Sequence, residues 1–135
     1  MKRTMTNYEI IQVINKLDSL AGQAYPFQIA RAISKTTKAL RSEYEIYKEA
    51  YDALLDKYYD LDEAGHVRVD ENGMDIMKNE VLREEATEKI RALLNEEVED
   101  ITITQFDESV LESIDTLSSA DYTFFDDYLI KSEEE

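Results

Sequence analysis

Apolar residues recur at helical spacing from the start of the chain. Behind Thr6 and Glu9, which have the separation of a capping box, Ile10, Ile11, Val13, Ile14, Leu17 and Leu20 mark a first helix ending near Gly22. Pro26 suits the first position of a second helix, where a missing N–H costs nothing, and no breaker follows until about Asp60. Along it Ile29, Ile33, Thr36, Leu40, Tyr44, Tyr47, Tyr51, Leu54, Tyr58 and Leu61 step by fours and threes, the seam of a coiled coil with one slip after Leu40. Asn72-Gly73, between alternating residues of His66 to Val69 and Met74 to Ile76, predicts a β-hairpin. A third helix from about Met77 to Glu97 directs Met77, Val81, Leu82, Ala86, Ile90, Leu93 and Leu94 inward and is a natural antiparallel partner for the second. Val98 to Phe106 alternates like a strand, with Ile101 and Ile103 on one face and Thr102 and Thr104 on the other. Asp107 caps a short helix through Ile114, and Ser119 to Ile130 forms the last. The expected fold is mostly α with a small β element (α+β). It is a long antiparallel helical hairpin tipped by a β-hairpin, with short flanking helices, in a single domain over 1–130 followed by an acidic disordered tail over 131–135.

Composition agrees with this picture. Only 3 Gly and 1 Pro occur, while 34% of residues are charged, which favours long helices over a glycine-punctuated sheet. The absence of Cys removes disulfides and thiolate metal sites and suits a reducing, cytoplasmic setting. No apolar run reaches the roughly 18 residues of a membrane span, and the N-terminus lacks a signal-peptide core, so the chain reads as soluble and unprocessed. Charge adds something new: through Tyr59 the net value is about +2, and from Asp60 onward it is about −18, within a total of −16. A single-sign field of that size attracts basic surfaces and repels anions.

The Asn7-Tyr-Glu-Ile10 helix, Tyr25-Pro-Phe-Gln-Ile-Ala30, the segment from Asp62-Glu-Ala-Gly65 to Glu71-Asn-Gly73, Leu93-Leu-Asn-Glu-Glu-Val98 and the closing Leu117 to Ile130 follow one another in a recognisable order. In that order the chain resembles a small family of uncharacterised proteins, with a domain of unknown function, encoded by phages and prophages of Gram-positive bacteria. The resemblance covers most of the chain and implies a viral origin, with virion assembly or interference with host machinery as the expected roles. It carries over no activity and no catalytic residues.

Candidate chemistry is sparse. Asp60, Asp62, Gly65, Val67 and Glu71 match positions 1, 3, 6, 8 and 12 of an EF-hand loop, but Ala64 and Arg68 fall where positions 5 and 9 need oxygen. Asp60, Asp62 and Glu71 are therefore only a weak metal site, and a polar turn is the competing reading. One histidine, His66, and three isolated glycines leave no basis for a metal or nucleophilic triad or a phosphate loop, so neither an enzyme nor a cofactor is expected. Among nine tyrosines, those on the seam read as core, and Tyr59, off it, reads as an exposed anchor. Arg31, Lys35, Lys38 and Arg41 form a basic stripe, too small for direct nucleic-acid binding and better explained by neutralising the acidic half within or between subunits.

Glu80, Glu84 and Glu88 stack on one helical face at about 0.2 to 0.5 kcal/mol of repulsion per pair. With Glu85, Glu96, Glu97, Glu99 and Asp100 they make one acidic surface whose placement stability alone does not explain; a merely solubilising face is the alternative. The expectation is a phage-encoded, non-enzymatic inhibitor that binds a host nucleic-acid-binding or defence protein through those residues and Tyr59, in the manner of an anti-CRISPR or nucleic-acid mimic. The alternative is a virion structural, assembly or chaperone-like coiled-coil protein. A basic host protein is the expected partner, with a homodimer possible and no membrane.

Overall fold

A computed structural model describes residues 1–131. In chain order these form β1 (Lys2–Thr6), α1 (Asn7–Leu20), α2 (Phe27–Tyr58), a single 3₁₀ turn at Glu80–Leu82, α3 (Arg83–Leu94), β2 (Glu97–Thr102), a 3₁₀ segment at Glu108–Ser113 and α4 (Ser119–Tyr128). The architecture is mostly α with a small β component, as the periodicity predicts. The expected acidic tail lies outside the described residues apart from Lys131.

The predicted caps at Thr6 and Asp107 are in place, and Ser118 supplies a third that the sequence reading did not name. Thr6 Oγ1 accepts from the Glu9 N–H at 3.1 Å, Asp107 accepts from Ser109 and Ser118 from Asp121, each satisfying an amide that the first helical turn leaves free. Pro26 sits one residue earlier than expected, at the N-cap of α2, where its carbonyl accepts from Ile29 and Ala30. The first seven residues differ more. The sequence pattern assigns no element to Lys2–Thr6, yet it is a strand paired antiparallel with β2. The pairing turns Met5 inward beside Ile101 and Ile103, all buried.

The main core gathers α1 (Ile10, Val13, Ile14, Leu17, Leu20), the first half of α2 (Ile29, Ala32, Ile33, Leu40), both strands and α4 with its flank (Phe125, Leu129, Ile130). Thr36, fully buried on the α2 seam, both donates to the Thr104 carbonyl at 3.3 Å and accepts from the Thr104 N–H at 3.0 Å, so its hydroxyl is fully used and pins the end of β2 to α2. At the periphery Tyr128 donates to Glu9 at 2.8 Å, with the Arg3 guanidinium 4.3 Å from its ring centroid, joining α4, α1 and β1.

α3 returns antiparallel to α2, but it is much shorter than the expected 77–97 helix. Asn79 is extended and its side chain caps Val81, so helix cannot propagate through it. Met77 instead bridges Tyr59, and Val81, expected inward, is 86% exposed. The hairpin is therefore unequal: α3 covers only the last part of α2, where Tyr58, Tyr59, Met77 and Ala86 form a second, separate apolar cluster. Along the middle of α2 three tyrosines are half-buried: Tyr44 packs on the main core and lies tilted to Tyr47, with centroids 6.0 Å apart, and Tyr47 stacks on Tyr51 at 5.8 Å.

The tip connecting α2 to α3 is not one hairpin but two. Leu61-Asp-Glu-Ala-Gly65-His66 and Val69-Asp-Glu-Asn-Gly73-Met74 are near-copies eight residues apart. In each, the Asp Oδ1 accepts from the amides two and four residues on (Ala64 and His66; Asn72 and Met74), and the Gly amide donates back to the Asp carbonyl. Gly65 and Gly73 have φ of +84° and +79°. This is a turn closed by a left-handed glycine rather than the two-residue turn that Asn-Gly alone suggests. The three extended segments then close on themselves. Asp60 N–H donates to Ile76, Ile76 N–H to Arg68 and Arg68 N–H to Asp60, at 2.8 to 2.9 Å.

Two outcomes are expected from this arrangement. Nothing lies within 4 Å of a Cβ built on any of the three glycines, so the cost of substitution is conformational. Gly65→Ala and Gly73→Ala should each lower unfolding stability by about 1 kcal/mol, while Gly22→Ala should be neutral or raise it by up to about 1 kcal/mol, as read from urea midpoints. Burial, and then the bond to Glu9, push the Tyr128 pKa up to about 12. The folded-state value is raised, so this contact's stabilisation is complete below the ordinary value of 10.0 and is lost as pH rises toward about 12. Tyr25, Tyr47, Tyr51, Tyr58 and Tyr122 are raised as well, so the tyrosinate absorbance titration should have several late-ionising groups, and Tyr128→Phe should remove one equivalent from its high-pH end.

Candidate functional site

Of the sequence-predicted partner residues, Tyr59 is misplaced. It was expected as an exposed anchor, but only 7% of it is accessible. α2 ends at Tyr58, so the helical wheel no longer applies, and the extended backbone at Tyr59 (φ −109°, ψ 157°) swings the ring into the second cluster.

The acidic residues sort into two groups. Those on α3 and its leading turn are largely occupied locally. Glu80 makes two contacts to Arg83, at 2.8 and 2.9 Å, Glu88 pairs with Arg91, and Glu85 accepts from the buried Tyr58 hydroxyl at 2.7 Å. The Arg83 guanidinium holds Glu80 below its ordinary pKa. These pairs offset the repulsion expected of the Glu80, Glu84, Glu88 ladder and leave Glu84 without an ion pair among the described residues. Glu96, Glu97, Glu99 and Asp100 are different: all are exposed, and none forms an ion pair among the described residues.

β2 displays Glu97, Glu99 and Asp100, and Glu96 immediately precedes it. Arg3 pairs with Ile101 and Met5 with Val98, so Thr4 alone opposes Glu99 and Asp100. This bulge breaks the alternation that would have turned one of the two inward and leaves both facing out. Asp100 carries it with φ +61°, the one non-glycine with positive φ among the described residues. Sequence reasoning did not see the bulge, because its cause is the β1 partner strand, which was itself unforeseen. The site's upstream end is fixed by α1, whose first residue Asn7 donates its backbone N–H to the Glu96 carbonyl at 3.1 Å and its side chain to Leu93.

The EF-hand match resolves into the tandem turns. Asp62 spends its carboxylate on backbone amides, and the His66 and then Ala64 N–H groups hold its pKa down. Asp60 faces Arg68 at 3.8 Å, so the cation of the site is a side chain of the same chain. Glu71 lies in the second turn, exposed. No group of three or more metal-ligating side chains occurs among the described residues.

The basic stripe does not meet the acidic helix. Arg41 pairs with Asp18 on α1 at 2.6 Å, while Arg31, Lys35 and Lys38 are exposed and unpaired among the described residues. α3 packs at the far end of α2, where Tyr58 reaches Glu85, so internal neutralisation of Glu80, Glu84 and Glu88 by the stripe is ruled out by position.

A left-handed aspartate costs on the order of 1 kcal/mol that glycine does not incur. Asp100→Gly should therefore raise stability by about that amount, and Asp100→Val should lower it by at least as much, in thermal or urea unfolding.

Set beside protein-family models, curated proteins and solved structures, the chain has no match in any of the three.

Proposed function

We propose that this protein is a non-enzymatic, phage-encoded inhibitor that engages a basic surface of a host nucleic-acid-binding or defence protein through β2 and the adjoining end of α3. The observation that carries this reading is the run Glu96, Glu97, Glu99 and Asp100, exposed side by side without an ion pair among the described residues. Adjacent like charges repel, and Asp100 adds backbone strain, so the arrangement lowers stability where a neutral strand would not. Charges and a bulge also protect an edge strand from unwanted pairing. What favours a partner over protection alone is the number of carboxylates, since one or two suffice to blunt a short edge. A partner groove shaped for phosphates accepts carboxylates spaced along such a strand, and association is then steered by charge. The expected setting is the host cytoplasm; no described helix is long and apolar enough to cross a membrane.

The test is affinity capture from host lysate at low and high salt, with wild type beside the variant Glu96→Gln, Glu97→Gln, Glu99→Gln, Asp100→Asn. Capture of a basic protein that weakens about tenfold or more at high salt, and is lost in the folded variant, is expected. Salt-independent capture, or capture unchanged in the variant, overturns the reading.

A virion assembly or chaperone-like role has one observation in its favour. The Tyr44, Tyr47, Tyr51 stretch of α2 is left half-covered, as a helix awaiting a second helix would be. A ring or dimer by light scattering, or the protein in purified particles, supports that role; a monomer absent from particles excludes it.

A further inference from the structure

We infer that the corner where α1 turns into α2 is a binding site for a small organic anion with an apolar body. A cavity of about 390 Å³ opens there, within the range of natural small-molecule sites. Leu20 from the last turn of α1 and Ile33 from α2 line its apolar floor, and Tyr25 of the connecting loop forms a wall. Apolar matter displaces water from such a floor favourably.

The chemistry of the rim sets the sign of the ligand. Lys38 and Arg41 lie on it, and Arg41 is held by Asp18 at 2.6 Å, which orients the guanidinium while balancing one charge. Lys38 has no ion pair among the described residues, and Arg31 and Lys35 continue the stripe along the same helix. In a chain of net charge −16 this is where unpaired cations collect. Lys38 supplies a charge-assisted contact to an anionic head while the floor takes the apolar body.

None of the acidic residues of β2 lines this cavity, so the site stands or falls independently of the proposed partner surface. Its occupant is an aromatic or aliphatic acid rather than a polyanion, because the cavity holds one small molecule and the flanking field of the chain repels extended negative charge.

The probe is 8-anilinonaphthalene-1-sulfonate, with uncharged N-phenyl-1-naphthylamine as its control, titrated into the full chain by calorimetry and fluorescence. One equivalent of the sulfonate should bind saturably, and the neutral analogue about tenfold or more weaker. Lys38→Glu should weaken the sulfonate by about tenfold or more, and Ser34→Trp, which fills the mouth, should abolish binding, both with unchanged near-ultraviolet circular dichroism. Should a variant fail to fold, amide shifts of the wild type decide: sulfonate-induced changes confined to Leu20, Ala21, Ala30 and Ile33 support the site. No saturable binding at millimolar probe, binding indifferent to Lys38→Glu, equal affinity for the neutral analogue, or shifts elsewhere overturn it.

Discussion

A helix of 32 residues spans about 48 Å, whereas a folded chain of 135 residues has a radius of gyration of only about 14 Å. The length of α2 is the constraint to which everything else responds. One core cannot enclose such a rod, so the apolar surface divides. The first half of α2 is buried under α1, the two strands and α4, and the last turns under α3 and the tip. The main core extends only to Tyr44, and along the middle the helix presents tyrosines rather than leucines. A tyrosine tolerates the boundary because its ring packs while its hydroxyl stays wet. Tyr44, Tyr47 and Tyr51 stacked along one face are what that compromise looks like.

The same division gives the charge asymmetry a structural meaning. Many carboxylates of the acidic half are engaged in building it. Asp62 and Asp70 organise the two turns, Asp107 caps a 3₁₀ segment, Asp121 binds Lys16 at 2.7 Å, and Glu80, Glu85 and Glu88 have local partners. Short elements have a high ratio of ends to length, and the start of each helix, with its free N–H groups, needs an acceptor. An excess of aspartate follows from the choppy architecture after Tyr59. The run Glu96, Glu97, Glu99 and Asp100 is the contiguous part of the charge that construction does not absorb, while Glu71 and Glu84 stand apart from it, which is why this run and not the whole acidic half defines the candidate surface.

Much of the fold was legible because its signals are local. The Thr6 and Asp107 caps, the seam of α2 as far as Leu40, and the inward pair Ile101 and Ile103 all depend on residues a few positions apart. What escaped depends on distant neighbours. Nothing in Lys2 to Thr6 alone indicates a strand until β2 is beside it, and the outward turn of Asp100 exists only against that partner. Tyr59 was misread by carrying a helical wheel one residue too far. The tandem turns were a different omission: the Asp-Glu-x-Gly repeat is visible in the sequence, but fitting a single twelve-residue calcium loop across it hid the period of eight. The basic stripe was recognised, while the cavity it borders was not, since a concavity is made by two helices and a loop meeting.

The pairing of β1 with β2 also imposes a schedule. The amino group of Met1 contacts the carbonyl of Ile103, so the first strand made during synthesis must wait for about a hundred further residues. At about 5 to 20 residues per second, that is a delay of about 5 to 20 s. In its later part α1 and α2 have been completed without the sheet and α4 that finish covering them. A chain in that state shows apolar helix surface to its neighbours. The unusually high negative charge, whatever surface it finally forms, enters mostly with the later segments, so the early portion is the one most dependent on the cell's holding factors. Closure of the two-stranded sheet, followed by docking of α4, is thus what covers the helical pair.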